Sequence, residues 1–197
     1  MREKDMVSGR NSFLFQNMRF AAIVGMVMII IALTVSQSGM NEILIVGNLF
    51  SGVGNDVFLV VSNGILFWVA YKKNCRSLFY LVLKVDAAVW IIVHALKFVD
   101  LGSLSLRPDG ILTDGFPSGH TTHAFTMAFM LSVFYPRMSW LWYGGAVAIS
   151  WSRIETSAHT GVQVTAGVIL GISLAWFAVN NWLKQNDSLL LPERKAP

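Results

Sequence analysis

Long apolar runs separated by short polar or charged stretches fill most of the chain. The runs cover residues 20–38, 53–71, 78–98, 119–135, 140–154 and 160–183. A helix that crosses a bilayer needs roughly 20 mostly apolar residues, and most of these runs approach that length. The pattern predicts an all-α fold: a polytopic membrane protein with six transmembrane helices in one bundle. The fifth run is the shortest. It is either extended by its flanks or stops early because its end belongs to a site. Residues 40–52 are apolar but punctuated by Gly47, Asn48 and Gly52, and they read as an interfacial loop. The chain divides into an N-terminal segment 1–19, a membrane domain 20–183 and a C-terminal tail 184–197.

The basic residues orient this layout, because lysine and arginine are retained on the cytoplasmic side of membrane helices. With both termini in the cytoplasm, Arg2, Lys4, Arg10, Arg19, Lys72, Lys73, Arg76, Lys84, Arg137, Lys184, Arg194 and Lys195 all fall inside. The remaining three, Lys97, Arg107 and Arg153, fall on the external face. Cations are normally kept off that face, so these three are candidates for a task there. The loops 99–118 and 155–159 converge on the same side.

Composition agrees with a membrane protein. The chain of 197 residues is 54% hydrophobic and 13% charged, against about a quarter charged in soluble domains. The net charge of +4 follows the membrane topology. It forms no basic block among aromatics, so nucleic acid is not an expected partner. Cys75 is the single cysteine, which excludes an internal disulfide and a multi-cysteine metal site. The first apolar run lacks a small-residue cleavage site and reads as a retained anchor.

The external cations share their face with two histidines and a tight turn, Phe116-Pro117-Ser118-Gly119-His120. Phosphoryl transfer needs neutralised oxygens, an in-line nucleophile and a proton for the leaving oxygen. Arg107 and Arg153 offer planar forks of donors, and Lys97 adds charge. A helix starting near His120 presents free N–H groups to an anion. Ser118 can cap that helix or donate to phosphate, and Gly119 permits close backbone approach. His120 and His159 provide an acid and a nucleophile. No cluster of metal-ligand residues accompanies them, so the site is expected to work without a metal or other cofactor.

Arg107-Pro108, then Pro117-Ser118-Gly119-His120, then Ser152-Arg153 with His159 five residues further on, resemble the three blocks of the type 2 phosphatidic acid phosphatase (PAP2) superfamily. The resemblance implies a membrane lipid phosphatase. It gives His159 the nucleophile's role and His120 the general acid's, with Lys97, Arg107, Ser118, Gly119 and Arg153 on the phosphate. It also implies a lipid phosphate substrate: a polyprenyl diphosphate, phosphatidate or phosphatidylglycerol phosphate, or a lipid A phosphate. A phosphotransferase, or a lipid-phosphate binding or transport protein with weakened turnover, remain alternatives.

Two positions depart from the family pattern. Nine residues rather than six separate Lys97 from Arg107. Gln163 stands where the family carries an aspartate beside the nucleophilic histidine. Its amide oxygen can still orient His159, so Gln163→Asp is expected to leave turnover unchanged or raise it. Glu155, in the same loop, is a possible alternative carboxylate. His94 and His123 match no motif position and read as packing or hydrogen-bonding residues. Asp86 reads as half of a structural ion pair. Gly167 and Gly171 have the small-xxx-small spacing of close helix packing. The oligomeric state is left open.

Overall fold

A computed structural model describes residues 3–99, 101–108 and 110–186. It is all-helical, with no strand among those residues. Seven α-helices follow one another: α1 Glu3–Thr34, α2 Asn41–Leu49, α3 Asn55–Lys72, α4 Arg76–Lys97, α5 Gly119–Phe134, α6 Ser139–Glu155 and α7 Gly161–Gln185. A π-helical turn, Phe50–Gly54, joins α2 to α3. Arg2, Arg194, Lys195 and most of the 184–197 tail lie outside the described residues.

Four segments are long and apolar enough to cross a membrane: Ser12–Thr34, Asn41–Lys72, Arg76–Lys97 and Gly161–Gln185. The chain is thus a multi-pass membrane protein by pattern. α5 and α6, at 16 and 17 residues, fall short of the usual spanning length. Three expectations shift. Residues 41–54 form helix rather than a loop, because α2 and the π turn run on into α3 without a break. The first helix begins at Glu3 and ends at Thr34 instead of covering 20–38, so most of segment 1–19 is helical. The six-span count is met by length and hydropathy in only four segments.

α5 is the central element. It packs against α7, α6, α3, α4 and α1, and all of Thr121–Val133 except His123 is buried. A helix apolar on every side belongs in a core, and its threonines must find partners there. Thr122 Oγ1 donates to Ser118 O at 2.9 Å, and Thr126 Oγ1 donates to Thr122 O at 2.8 Å and Gly171 O at 3.1 Å.

Two glycines of α7 allow α5 to come this close. A Cβ on Gly167 would stand 2.8 Å from Ser118 O and 2.9 Å from Thr121 Cβ, and one on Gly171 would run into Thr122 O. Removing side chains at this spacing lets two backbones approach and hydrogen-bond across the interface. The consequence is positional: the first turn of α5, with His120, sits beside the first turn of α7, which follows His159.

Candidate active site

One end of the bundle gathers the C-terminal ends of α4 and α6 and the N-terminal ends of α5 and α7. A cavity of about 260 Å³ opens there. Lys97, Arg107, Gly119, His120, Arg153 and His159 all line it. Apolar residues line it as well: Leu59 on α3 and Val89, Trp90 and Val93 on α4. The cavity thus joins a cationic chamber to an apolar flank between two membrane helices.

His159 lies in the short loop before α7 and is almost fully buried, at 3% exposure. Its backbone N–H donates to Arg153 O at 3.0 Å, which couples the histidine to the arginine six residues earlier. Ring Nδ1 stands 2.9 Å from Gly115 O and 3.2 Å from Gln163 Oε1. Both neighbours are acceptors, so Nδ1 carries the hydrogen and Nε2 keeps its lone pair. Burial, reinforced by the Arg153 charge, pushes the His159 pKa down to about 3.

Gln163 is held by both ends of its amide. Oε1 also accepts from Thr160 N at 3.0 Å, closing a capping box with Thr160 Oγ1. Nε2 donates to Leu104 O at 2.9 Å and Leu106 O at 2.7 Å. Those two carbonyls fix which way the amide faces. The glutamine therefore ties the 101–108 loop to the start of α7 and turns its oxygen to His159. Gly115 leaves room for this arrangement, since a Cβ there would collide with the Gln163 amide nitrogen.

Each cation has its own support. Arg107 donates from Nε to Asp114 Oδ1 at 2.7 Å and from Nη2 to Asp114 Oδ2 at 2.9 Å. Lys97 Nζ lies 3.9 Å from the same carboxylate. The Arg107 guanidinium holds the Asp114 carboxyl below the usual carboxylate range. Arg153 is buried, and its Nη1 donates to the backbone O and the Oγ of Ser51 in the π turn. π turns commonly occur where a helix is adapted to a site, and this one supplies both oxygens to Arg153. The longer Lys97–Arg107 spacing still brings both residues to one cavity, because α4 ends at Lys97 and the loop folds back.

Ser118 is placed differently from the other motif residues. It is fully buried, makes no capping bond, and its Oγ accepts from Thr121 Oγ1 at 3.1 Å. Its backbone N–H donates to Gln163 O at 3.0 Å, which joins the second sequence block to the third.

A family model for the PAP2 superfamily matches residues 89–187. The chain belongs to the PAP2 superfamily. Two relatives show how far the likeness extends. The bacitracin transport permease protein BcrC of Bacillus licheniformis is 36% identical over 80 residues, 41% of this chain and 39% of that protein. A lipid A 1-phosphatase of Porphyromonas gingivalis is 37% identical over 71 residues, 34% of this chain and 16% of that protein. The chain thus matches well under half the length of these PAP2 relatives. No solved structure matches it.

Several residues of this PAP2 site were not singled out from sequence. Asp114 shows only as one acid in a long loop, and nothing in the spacing pairs it with Arg107. Ser51 lies in a stretch read as a loop, a hundred positions from Arg153. Glu155 corrects an expectation. Its carboxylate accepts from Ser38 Oγ at 2.5 Å and Ser38 N at 3.2 Å, so it ties the α1–α2 connection to the end of α6 instead of serving His159.

Proposed function

We propose that this protein is an integral-membrane lipid phosphatase that hydrolyses a lipid phosphate or diphosphate through a phosphohistidine, without a metal. The observation that carries this reading is His159. It is a neutral imidazole with Nδ1 tied down and Nε2 free, in one cavity with three cations and a second histidine. The P. gingivalis relative's name, lipid A 1-phosphatase, points to the same reaction class.

In the first step His159 Nε2 attacks phosphorus, and the bond to the lipid oxygen breaks. His120 gives its proton to that oxygen, which leaves as an alcohol or as a shorter phosphate. Lys97, Arg107 and Arg153 bind the phosphoryl oxygens, with the N–H groups at the start of α5. Charge held in a water-poor chamber acts more strongly than in bulk solvent. In the second step water attacks the phosphohistidine, the N–P bond breaks, and His120 takes one water proton. Phosphate leaves and both histidines return to their starting forms. Gln163 keeps the His159 ring oriented through both steps. The buried Ser118 acts through backbone placement of the α5 start.

The apolar wall of Leu59, Val89 and Val93 favours a lipid chain lying between α3 and α4, with its headgroup in the chamber. With α5 and α6 counted as spans the bundle has six. The positive-inside bias of the Lys and Arg distribution then supports an external-leaflet chamber. Phosphate release from detergent-solubilised polyprenyl diphosphate, phosphatidate, phosphatidylglycerol phosphate and lipid A tests the reading. Release from at least one, undiminished by EDTA and blocked by vanadate, is expected. No release from any, or a strict metal requirement of the protein itself, would overturn it.

A further inference from the structure

Beside the chamber lies a His–Asp pair that the phosphatase mechanism does not use. His123 Nε2 and Asp86 Oδ1 are 2.6 Å apart, joining α5 to α4. His123 is one helical turn beyond His120 on α5, and both rings line the same cavity. Asp86 belongs to a continuous α4 stripe, since Val89, Trp90, Val93, His94 and Lys97 follow it at helical spacing and all five line the cavity. Asp86 itself is not among the lining residues, so the pair reaches the cavity through His123, one turn from His120.

A purely structural bridge between α4 and α5 is the rival explanation. Several facts weigh against it. Both side chains keep part of their surface open, 22% for His123 and 26% for Asp86. A sealed bridge has no use for such exposure. A buried ion pair adds little net stability over an apolar pair of similar size. Ionisable groups at membrane depth are expensive and are kept where they face a pathway or a site. α4 and α5 are also in contact apart from this bridge, with Val93 set against Gly119.

The position specifies what the pair could meet. A phosphoryl group held by Lys97, Arg107 and Arg153 directs its leaving oxygen at His120. The next atoms of the lipid then lie one turn deeper, beside His123. A bare hydrocarbon chain there would face this polar pair and leave it without a further partner. An oxygen acceptor would complete it. Nε2 meets Asp86, which leaves Nδ1 as the ring's remaining polar atom, the one whose N–H would meet that acceptor.

We propose that His123, held by Asp86, forms a leaving-group subsite that recognises an acceptor oxygen a few bonds beyond the scissile P–O bond. The inference rests on the phosphatase reading above and sharpens its substrate class. It favours lipids with an ester carbonyl or a second phosphate next to the scissile group over simple alkyl phosphates. His123 is a specificity residue in this account, and Asp86 is its positioning residue.

The test compares kcat/KM for three substrates: a long-chain monoalkyl phosphate with no further acceptor, a phosphatidate with ester carbonyls, and a prenyl diphosphate. Wild-type protein is measured beside His123→Leu and Asp86→Asn. Losing a charge-assisted hydrogen bond is expected to cost roughly ten- to a hundredfold on phosphatidate, on prenyl diphosphate, or on both, with the monoalkyl phosphate nearly unchanged. The arm that falls identifies the acceptor. Asp86→Asn keeps a hydrogen-bond acceptor for the ring and is expected to give a smaller loss with the same selectivity. If His123→Leu fails to fold, this second variant carries the test. An equal loss on all three substrates, or no loss on any, would overturn the subsite. A wild-type protein inert on all three would instead overturn the phosphatase reading beneath it.

Discussion

Gln163 Oε1 stands 3.2 Å from His159 Nδ1, while the same amide donates from Nε2 to the carbonyls of Leu104 and Leu106. The residue is at once an acceptor for the histidine and a double donor to a loop. This reverses the expectation that Gln163→Asp leaves turnover unchanged or raises it. A carboxylate cannot donate to either carbonyl and is one methylene shorter. Leaving a buried acceptor without its donor costs about 1–3 kcal/mol. Gln163→Asp is therefore expected to lower the melting temperature and to cut kcat by about tenfold or more. Thermal unfolding and steady-state hydrolysis of the purified variant check this. Wild-type stability with equal or higher kcat would contradict it.

The α5–α7 contact predicts two opposite glycine outcomes. Gly171→Val puts methyl groups against Thr122 O and strains the bond from Thr126 Oγ1. Overpacking of this kind costs about 1–3 kcal/mol. Gly64→Ala on α3 meets nothing within 4 Å and removes a helix-interior glycine, which is worth up to about 1 kcal/mol. Melting in detergent should drop for the first and hold or rise for the second. A destabilised Gly64→Ala with an unaffected Gly171→Val would contradict this packing.

Asp114 predicts an effect on anion affinity. Its carboxylate offsets charge on both Arg107 and Lys97. It is half-exposed, so water screens it, and one charge at about 4 Å is worth only about 1 kcal/mol in bulk water. Asp114→Asn is expected to tighten inhibition by phosphate or vanadate by about fivefold. Inhibition constants before and after the change decide the matter, and weaker inhibition by the variant would make Asp114 purely an orienting group for Arg107.

Much of this site was legible in the sequence, for a physical reason. The positive-inside reading leaves Lys97, Arg107 and Arg153 on the face where cations are expected to be scarce, so they stood out. The Pro117-Ser118-Gly119-His120 turn marked the α5 start to the residue, because a helix start has a local signature. Supports reached through space had none. Ser51 on Arg153 and Asp86 on His123 depend on packing between helices, and Asp114 meets Arg107 only through the fold of their shared loop. The helix over 41–54 was missed because Gly47, Asn48 and Gly52 punctuate it. Glycine is common in membrane helices, and there the bilayer compensates for its low propensity.

The His159 pKa yields a pH prediction. Burial pushes it down to about 3, below the ordinary histidine value of about 6.5. The ring is thus neutral across the whole working range, and its protonation does not limit kcat/KM between pH 5 and 8. The sign for stability follows. The folded state binds this proton less readily than the unfolded chain, so His159 progressively destabilises the fold as pH drops from about 6.5 toward 3. Modification of His159 by an electrophile that needs neutral imidazole should proceed nearly as fast at pH 5 as at pH 7. An ordinary histidine would slow by more than tenfold. A slowdown of that size at His159 would contradict the assignment.

The phosphohistidine is the centre of the account, and it can be captured directly. Purified protein is mixed with a hydrolysed lipid phosphate labelled in the scissile group, then quenched in base, where phosphohistidine survives, and its peptides are sequenced by mass spectrometry. The account predicts label on His159, formed and lost at rates that support turnover, and absent from His159→Ala, which no longer releases phosphate. Label on His120, or continued phosphate release by His159→Ala, would contradict it.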